Sequence, residues 1–422
     1  MVQRRAGKTT KPGAPDTPLY RVALVIETST QFGRTLLGGI AHYIRETGPW
    51  SVLFTDRAVN DAPPAWLRDA RVDGIITRVP SPAIREIVIR KGVPVVDLNE
   101  QTADLGIPQI SNDHAAVSRM AADHLLKRGY QNFAFIGHSG HPWSDERERT
   151  FARILRTKGY RCSTYVDSRL QVSELREGVW NTELDALVQW VANLPKPVGI
   201  MASTDFRGLQ VLTACRVAGI AVPETAAVVG VGADDIACAL SDPPLSSVVL
   251  DAWRMGYEAA HLLDRMMRGA KIHPGFQKRI PPLEISVRRS TDGIAISDPL
   301  VAKAARFIQD RVTYPTQVND VVRYVGVSGT TLQTRFRKEL GKSIHDVILE
   351  TRLRRVRELL TETNLPLAEV ASRCGFRHIE YLTQMMKLRT GWTPGQYRKQ
   401  HTVVDRKGHS RVRNALLEIL PR

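Results

Sequence analysis

Residues 318–340 read VNDVVRYVGVSGTTLQTRFRKEL, and the order of apolar, glycine and polar positions in this stretch decides how the C-terminal part of the chain is built. Val318, Val321, Val322 and Val325 recur at i, i+3, i+4 and i+7, the apolar stripe of one helix. Gly326 closes it, because glycine takes the left-handed turn conformation without a steric penalty. Ser328 offers an N-cap hydroxyl to a second helix. On that helix Leu332, Phe336 and Leu340 share one buried face, leaving Gln333, Arg335, Arg337 and Lys338 on the others. The pattern predicts a helix-turn-helix. A second copy follows, with Leu367, Val370 and Ala371 on one helix, a turn at Cys374-Gly375-Phe376, and Tyr381, Leu382, Met385 and Met386 anchoring the next. Its exposed positions are Arg377, His378, Glu380, Thr383, Gln384 and Lys387. Between the copies, Ile344, Val347, Ile348, Val356 and Leu359 stripe one long helix. A rod of this kind can hold two reading helices in successive major-groove segments, one turn of B-DNA or roughly 34 Å apart.

Charge points the same way. The chain of 422 residues carries +16, but residues 19–302 hold 32 Lys/Arg against 31 Asp/Glu, while 303–400 hold 18 against 9. A neutral body joined to a small basic module predicts a polyanionic partner, double-stranded DNA being the simplest. Charge alone also fits a solvated, solubilising face. The length exceeds what one core organises, so several domains are expected. No apolar run approaches the roughly 20 residues of a membrane span, which predicts a cytoplasmic protein with no membrane partner. Cys162, Cys215, Cys238 and Cys374 are scattered without a CxxC pair, and His138 and His141 lack a further ligand at metal spacing. Neither disulfides, a metal site nor any cofactor is expected.

From Tyr20 onward, short β-branched runs (22–26, 52–54, 74–77, 93–98) alternate with helical stretches, and after a helix around 115–128 a second set follows (133–136, 199–202, 227–231, 247–250). This is the signature of parallel sheets with crossover helices in two α/β lobes. The style becomes wholly helical after Pro299. The expected layout is a basic arm over 1–18, an α/β two-lobed sensor over 19–295, an all-α double helix-turn-helix domain over 296–402 and a basic tail over 403–422. Ligands of open α/β sheets bind beyond the carboxyl ends of strands. That rule nominates Thr28 and Gln31, Asn112 and Asp113, His138, Trp143, Arg147, Asp205, Arg207, Asp234 and Asp235. Trp143 would offer a platform for a sugar's C–H face, and Asp113, Arg147 and Asp205 would pair with hydroxyls. Each has a plainer alternative: Asp205 as a helix N-cap, Trp143 as interlobe filling, Arg147 as partner of an acid on its own helix. Gly230-Val231-Gly232 lacks the third glycine of a dinucleotide fingerprint, and neither a phosphate-binding P-loop nor a nucleophile elbow occurs, so no enzyme is expected.

Residues 318–398 resemble the DNA-binding domain of the AraC/XylS family, through Gly326-Val327-Ser328, Gly341-Lys342-Ser343, Arg352-Leu353, Glu369-Val370-Ala371, Cys374-Gly375-Phe376 and Thr390-Gly391-Trp392-Thr393-Pro394. Val322, Leu382 and Met386 depart from the family's usual Ala and Phe residues but remain apolar. The resemblance implies DNA contacts from Ser328, Gly329, Thr330, Gln333, Thr334 and Arg337 on the first reading helix. On the second it implies Arg377, His378, Glu380, Gln384 and Lys387. Residues 20–290 resemble the periplasmic-binding-protein-like sensors of LacI/GalR regulators, and more narrowly those of xylose-operon activators, through Ser111-Asn112-Asp113, Arg147-Glu148-Arg149, Ser203-Thr204-Asp205 and Pro243-Pro244-Leu245-Ser246-Ser247-Val248. The resemblance implies a sequence-specific transcription regulator, an activator touching RNA polymerase and acting as a homodimer, controlled by a sugar such as xylose. A repressor, or a non-sugar effector, would use the same framework. Gly232 stands where sugar-binding relatives carry Asp; either Asp234 and Asp235 compensate or the effector is a different small molecule. A transport-type binding protein and a nonspecific nucleoid protein are the remaining rivals.

Overall fold

The computed structural model describes residues 19–401 except 59–60, 79–81, 100–105, 139, 168–176 and 294. The arm over 1–18 and the tail over 403–422 lie outside the described residues. The first lobe holds β1 (Arg21–Val25), β2 (Ser51–Phe54), β3 (Gly74–Thr77), β4 (Val95–Asp97) and β5 (Gln109–Asn112). The second holds β6 (Asn132–His138), β7 (Cys162–Asp167), β8 (Val198–Ala202), β9 (Ala226–Val231) and β10 (Ser246–Val249). The chain then returns to add β11 (Gln277–Ile280) to the first sheet and crosses again to add β12 (Glu284–Ser286) to the second. The orders are β11-β5-β4-β3-β1-β2 and β12-β10-β9-β8-β6-β7, all parallel except the β10–β12 pair. β3, β8 and β9 are buried at every position, as expected of parallel strands covered on both faces.

Three crossings join the lobes. After β5 the helix His114–Lys127 packs into the second lobe, where Val117, Ala121 and Leu125 join its core. After β10 the helix Ala252–Met267 returns to pack with Gln31–Thr47 in the first. The third crossing links β11 to β12.

The C-terminal module comprises seven helices among the described residues: Pro299–Asp310, Val318–Val325, Gly329–Leu340, Ile344–Glu362, Leu367–Arg373, Ile379–Thr390 and Pro394–His401. Two small cores form. One gathers Val301, Ile308, Val321, Leu332, Phe336 and Ile344; the other gathers Leu353, Val356, Leu360, Val370, Leu382 and Met386. The connector Ile344–Glu362 feeds both from opposite ends. At 19 residues it is about 28 Å long. Leu382 and Met386 are fully buried, so those substitutions act on packing. The turn glycines behave as their sequence context predicts, with φ +85° at Gly326 and +68° at Gly375.

The module is seated on the second lobe. The Arg306 guanidinium donates to the carbonyl of Gly219, the Ile296 N–H to the carbonyl of Glu224 (2.9 Å), and Arg354 to the carbonyl of Asp292 (2.8 Å), whose carboxylate it also pairs with at 3.6 Å. The helix His114–Lys127 reaches this joint: His124 Nε2 meets Thr291 Oγ1 at 2.8 Å, and Arg128 donates to the Thr291 carbonyl.

Candidate functional site

Between the lobes lies a cavity of about 190 Å³ at the carboxyl ends of the strands. From the first lobe it is lined by Thr30, Phe32, Arg78, Leu98, Asn99 and Asn112. His114, Trp143, Arg147, Thr204, Asp205, Phe206, Gly232 and Asp234 line it from the second. The strand-to-helix junctions account for this placement. Helices that begin just past a strand need N-caps, and Thr30, Asp113, Thr204 and Asp234 fill that role by accepting from backbone N–H groups two or three residues on. Neighbouring residues then face the cleft.

Two polar atoms on the first-lobe wall, Asn99 Nδ2 and Asn112 Oδ1, are buried with no hydrogen-bond partner among the described residues. Buried amides are almost always paired, so a donor and an acceptor left over in one cleft are where a polar ligand can bond. Arg78 pairs with the buried Glu27 and lies over the Phe32 ring at 4.6 Å. Opposite it, Arg147 is buried, donates to His114 Nδ1 at 3.2 Å and to the Ser203 carbonyl, and lies over Trp143 at 5.1 Å. Phe32, Trp143 and Phe206 bring aromatic surface to both walls.

Asp205 is 2% exposed, accepts from Ser247 Oγ and from the Asp234 N–H (2.7 Å), and burial pushes its carboxyl up to about 6. It pins the β9 loop to β10. The helix cap is Thr204, one residue earlier, so the capping role considered for Asp205 belongs to its neighbour. Gly232 has φ +129°, and a Cβ there would stand 3.1 Å from Asp205 Oδ2. The pinned carboxylate thus occupies space beside the glycine that replaces the expected acid.

Several nominated residues fall elsewhere. Arg207 faces away from the cavity into a buried triad with Glu183 and Gln210, because its guanidinium needs a carboxylate to be buried at all. Asp113 caps its helix and does not line the cavity. Gln31 and Asp235 sit at the cleft mouth, where Gln31 Nε2 donates to Asp235 Oδ2 (3.1 Å) and Gln31 Oε1 accepts from the Asp235 N–H (2.7 Å), bonding one lobe to the other. Arg279 and Glu146 form a second interlobe pair. Thr28 instead ties its loop to Arg57. His138 is held neutral, burial pushing its imidazole down to about 3, and contacts Trp143 ring to ring at 5.7 Å. Asn112, Trp143, Arg147, Asp205 and Asp234 are the nominated residues that do meet around the cavity, whereas Arg78, Asn99 and the aromatic pair Phe32 and Phe206 carry no sequence signal of their own. Arg78 and Asn99 follow β3 and β4 in loops without a motif.

On the helical module Ser328 caps the first reading helix, its Oγ accepting from the Thr331 N–H at 3.1 Å. Gly329, Thr330, Thr334 and Arg337 are exposed along it. Gln333 is turned inward, its Oε1 meeting the Ile344 N–H at 3.4 Å, which removes it from the outward face. Arg335 pairs with Asp298 at 2.6 Å. On the second reading helix Arg377, His378, Glu380, Gln384 and Lys387 are all exposed. Tyr381 is 39% exposed and meets Phe376 in a tilted ring contact with centroids 6.1 Å apart, so it is a surface residue rather than a core anchor.

Residues 122–291 match the periplasmic binding protein-like domain model, and 321–400 match a helix-turn-helix domain model. The chain is 30% identical over 388 residues to the xylose operon regulatory protein of Haemophilus influenzae, covering 90% of this chain and 98% of that one. It is 30% identical over 398 residues to the xylose operon regulatory protein of Escherichia coli K12, covering 92% and 99%. A solved structure of a xylose-binding transcription activator superposes with a TM-score of 0.78 at 28% identity, covering 91% of this chain and 98% of that one. Two sheets facing one cleft, a double helix-turn-helix seated beneath them and near end-to-end similarity lead to one assignment: the chain belongs to the xylose operon regulatory protein family of DNA-binding transcription regulators.

Proposed function

We propose that this protein is a cytoplasmic activator whose cleft binds D-xylose or a pentose of the same shape, and that it acts without catalysing a reaction. The observation that carries the proposal is the unpaired amide pair Asn99 and Asn112, facing a cavity of about 190 Å³ with aromatic side chains on both walls. That volume is below the roughly 300–1,000 Å³ of pockets for drug-sized ligands and suits a monosaccharide. Asn99 would donate to one hydroxyl and Asn112 accept from another. Arg78, Arg147, Asp205 and Asp234 supply further polar groups, with the Phe32, Trp143 and Phe206 rings against C–H faces. Gln31 and Asp235 would act at the mouth by joining the lobes over the sugar.

The exposed residues of the two reading helices would meet double-stranded DNA, with Arg337, Arg377, Gln384 and Lys387 as the first choices for base or phosphate contact. In a homodimer, closure of the lobes would change how the two sensors pair and so reposition the paired modules for contact with RNA polymerase. A sugar achieves this only through different affinities for the two arrangements. Thermal denaturation of the full chain with xylose, arabinose, ribose and glucose tests the effector. Stabilisation by xylose at concentrations where the others do nothing is expected, since a ligand of the native state raises its melting temperature. Equal shifts with all four, or none, would refute it.

A further inference from the structure

Between the two reading heads of the helical module is a second, open cavity of about 390 Å³. Its walls come from three places: Gln317 and Asn319 at the start of the first head's Val318–Val325 helix, His345 and Arg352 on the connector, and Tyr381 near the start of the second reading helix. The floor is Ile348 and Leu349. No carboxylate lines it among the described residues. Of the acids on adjoining turns, Asp320 and Asp346 are withdrawn into capping boxes, accepting from the Gln317 N–H (2.9 Å) and the Ser343 N–H (3.2 Å), Glu350 pairs with Lys342 at 2.7 Å, and Glu380 is exposed beside Tyr381. Arg352 is fixed beneath, donating to the carbonyls of Tyr314 (3.2 Å) and Thr316 (2.7 Å). The rim therefore presents an amide, an imidazole and a phenol over a fixed positive charge, while Asn319, His345 and Tyr381 are all exposed.

We infer that this saddle receives the DNA backbone between the two major-groove segments, with Asn319, His345 and Tyr381 donating to its phosphates. The inference rests on the DNA-binding reading of the twin heads. The connector is about 28 Å long, close to the roughly 34 Å between successive major-groove faces, so a duplex held at both ends must lay its intervening strands across the gap. Such contacts carry no sequence information and add affinity on any duplex; a cation added to the rim would also steepen the salt dependence.

The test uses the full-length protein, a promoter duplex and a random duplex, titrated between 50 and 200 mM salt. His345→Lys adds a cation to the rim. It should tighten binding to both duplexes at low salt and steepen the slope of log affinity against log salt by about 0.9, so that its advantage shrinks about 3.5-fold across that range. Misfolding cannot produce a gain of this kind. Asn319→Asp and His345→Glu should weaken both duplexes together, and Tyr381→Phe should do so to a smaller extent while keeping the ring. Wild-type affinity and slope in all four variants would overturn the saddle contact and leave the heads standing. Failure of the unmodified protein to bind either duplex would instead overturn the DNA reading, and the saddle with it.

Discussion

Replacing Asn112 with Ala separates a ligand-binding amide from a structural one, because the two roles predict opposite effects. The Oδ1 atom of Asn112 has no partner among the described residues, so truncation removes no intramolecular bond through it. Removal from the wall of an existing cleft also opens no sealed void, which spares the usual penalty of a core truncation. The sugar-free variant should therefore be as stable as the parent, within about 1 kcal/mol, or slightly more stable because an unsatisfied buried acceptor is gone. Binding should suffer instead. Losing an acceptor for a desolvated hydroxyl costs about 1–3 kcal/mol, a rise in Kd of about 5- to 150-fold. At a xylose concentration near 100 times the parental Kd, ligand stabilisation is about 2.7 kcal/mol; a tenfold weaker variant retains about 1.4 kcal/mol and a hundredfold weaker one about 0.4. Calorimetric titration with xylose, paired with thermal melts with and without it, measures both quantities. Unchanged affinity together with a melting temperature that drops in the absence of sugar would refute the assignment and make Asn112 part of the scaffold.

Asn99→Ala, which removes the neighbouring donor, should give the same split between intact stability and weakened sugar binding. The two turn glycines should differ in cost. A Cβ at Gly326 meets nothing within 4 Å, so Gly326→Ala bears only the left-handed backbone penalty of about 1–2 kcal/mol, whereas a Cβ at Gly375 would stand 2.4 Å from the Tyr314 carbonyl oxygen. Gly375→Ala should therefore melt the second head well before the first, seen as a footprint shortened to one half-site; equal destabilisation would contradict the turn geometry. Arg337→Ala should cost about 1–3 kcal/mol of promoter affinity and relax preference at one base pair if the contact is to a base, or weaken all sequences alike if it is to phosphate. Burial raises the Asp205 carboxyl from 3.8 to about 6, so the folded chain holds a proton that the unfolded chain has released. That carboxyl makes stability fall as pH rises from about 4 to about 6, and Asp205→Asn should remove that component from a pH series of denaturant melts. An identical pH profile in parent and variant would show the carboxyl to be unshifted.

The reading heads were legible because each depends on local rules: a stripe at i, i+3, i+4 and i+7, a left-handed glycine and a hydroxyl cap. The inner strands are legible for a similar reason, since β8 and β9 are unbroken runs of apolar residues and glycine and β3 carries the pair Ile75-Ile76. β5 reads QISN and β11 reads QKRI, too polar to announce themselves; β5 is a strand through its pairing with β4 and β11, and β11 through its pairing with β5. In the cleft the sequence pointed to the correct junctions and often to the wrong side chain by one position. The strand-end rule selects Gln31, Asp113 and Arg207, while their neighbours Phe32, His114 and Phe206 line the cavity; Asn112 is selected correctly. Short polar residues at these junctions are drawn to backbone N–H groups as caps, and a cap's direction is fixed by the helix rather than by the ligand. Arg207 shows the same limit at long range: its partner Glu183 lies on another helix, a pairing no local pattern reveals.

The seating of the helical module on the second lobe, through Arg306, Ile296 and Arg354, determines what a bound duplex experiences when sugar arrives. If the reading heads keep these bonds to the second lobe, the proposed closure would not pull them across the groove within one protomer. Viewed from the DNA, the first lobe would then be the pointer that swings, and a message to a neighbouring molecule would be delivered by whatever that pointer strikes.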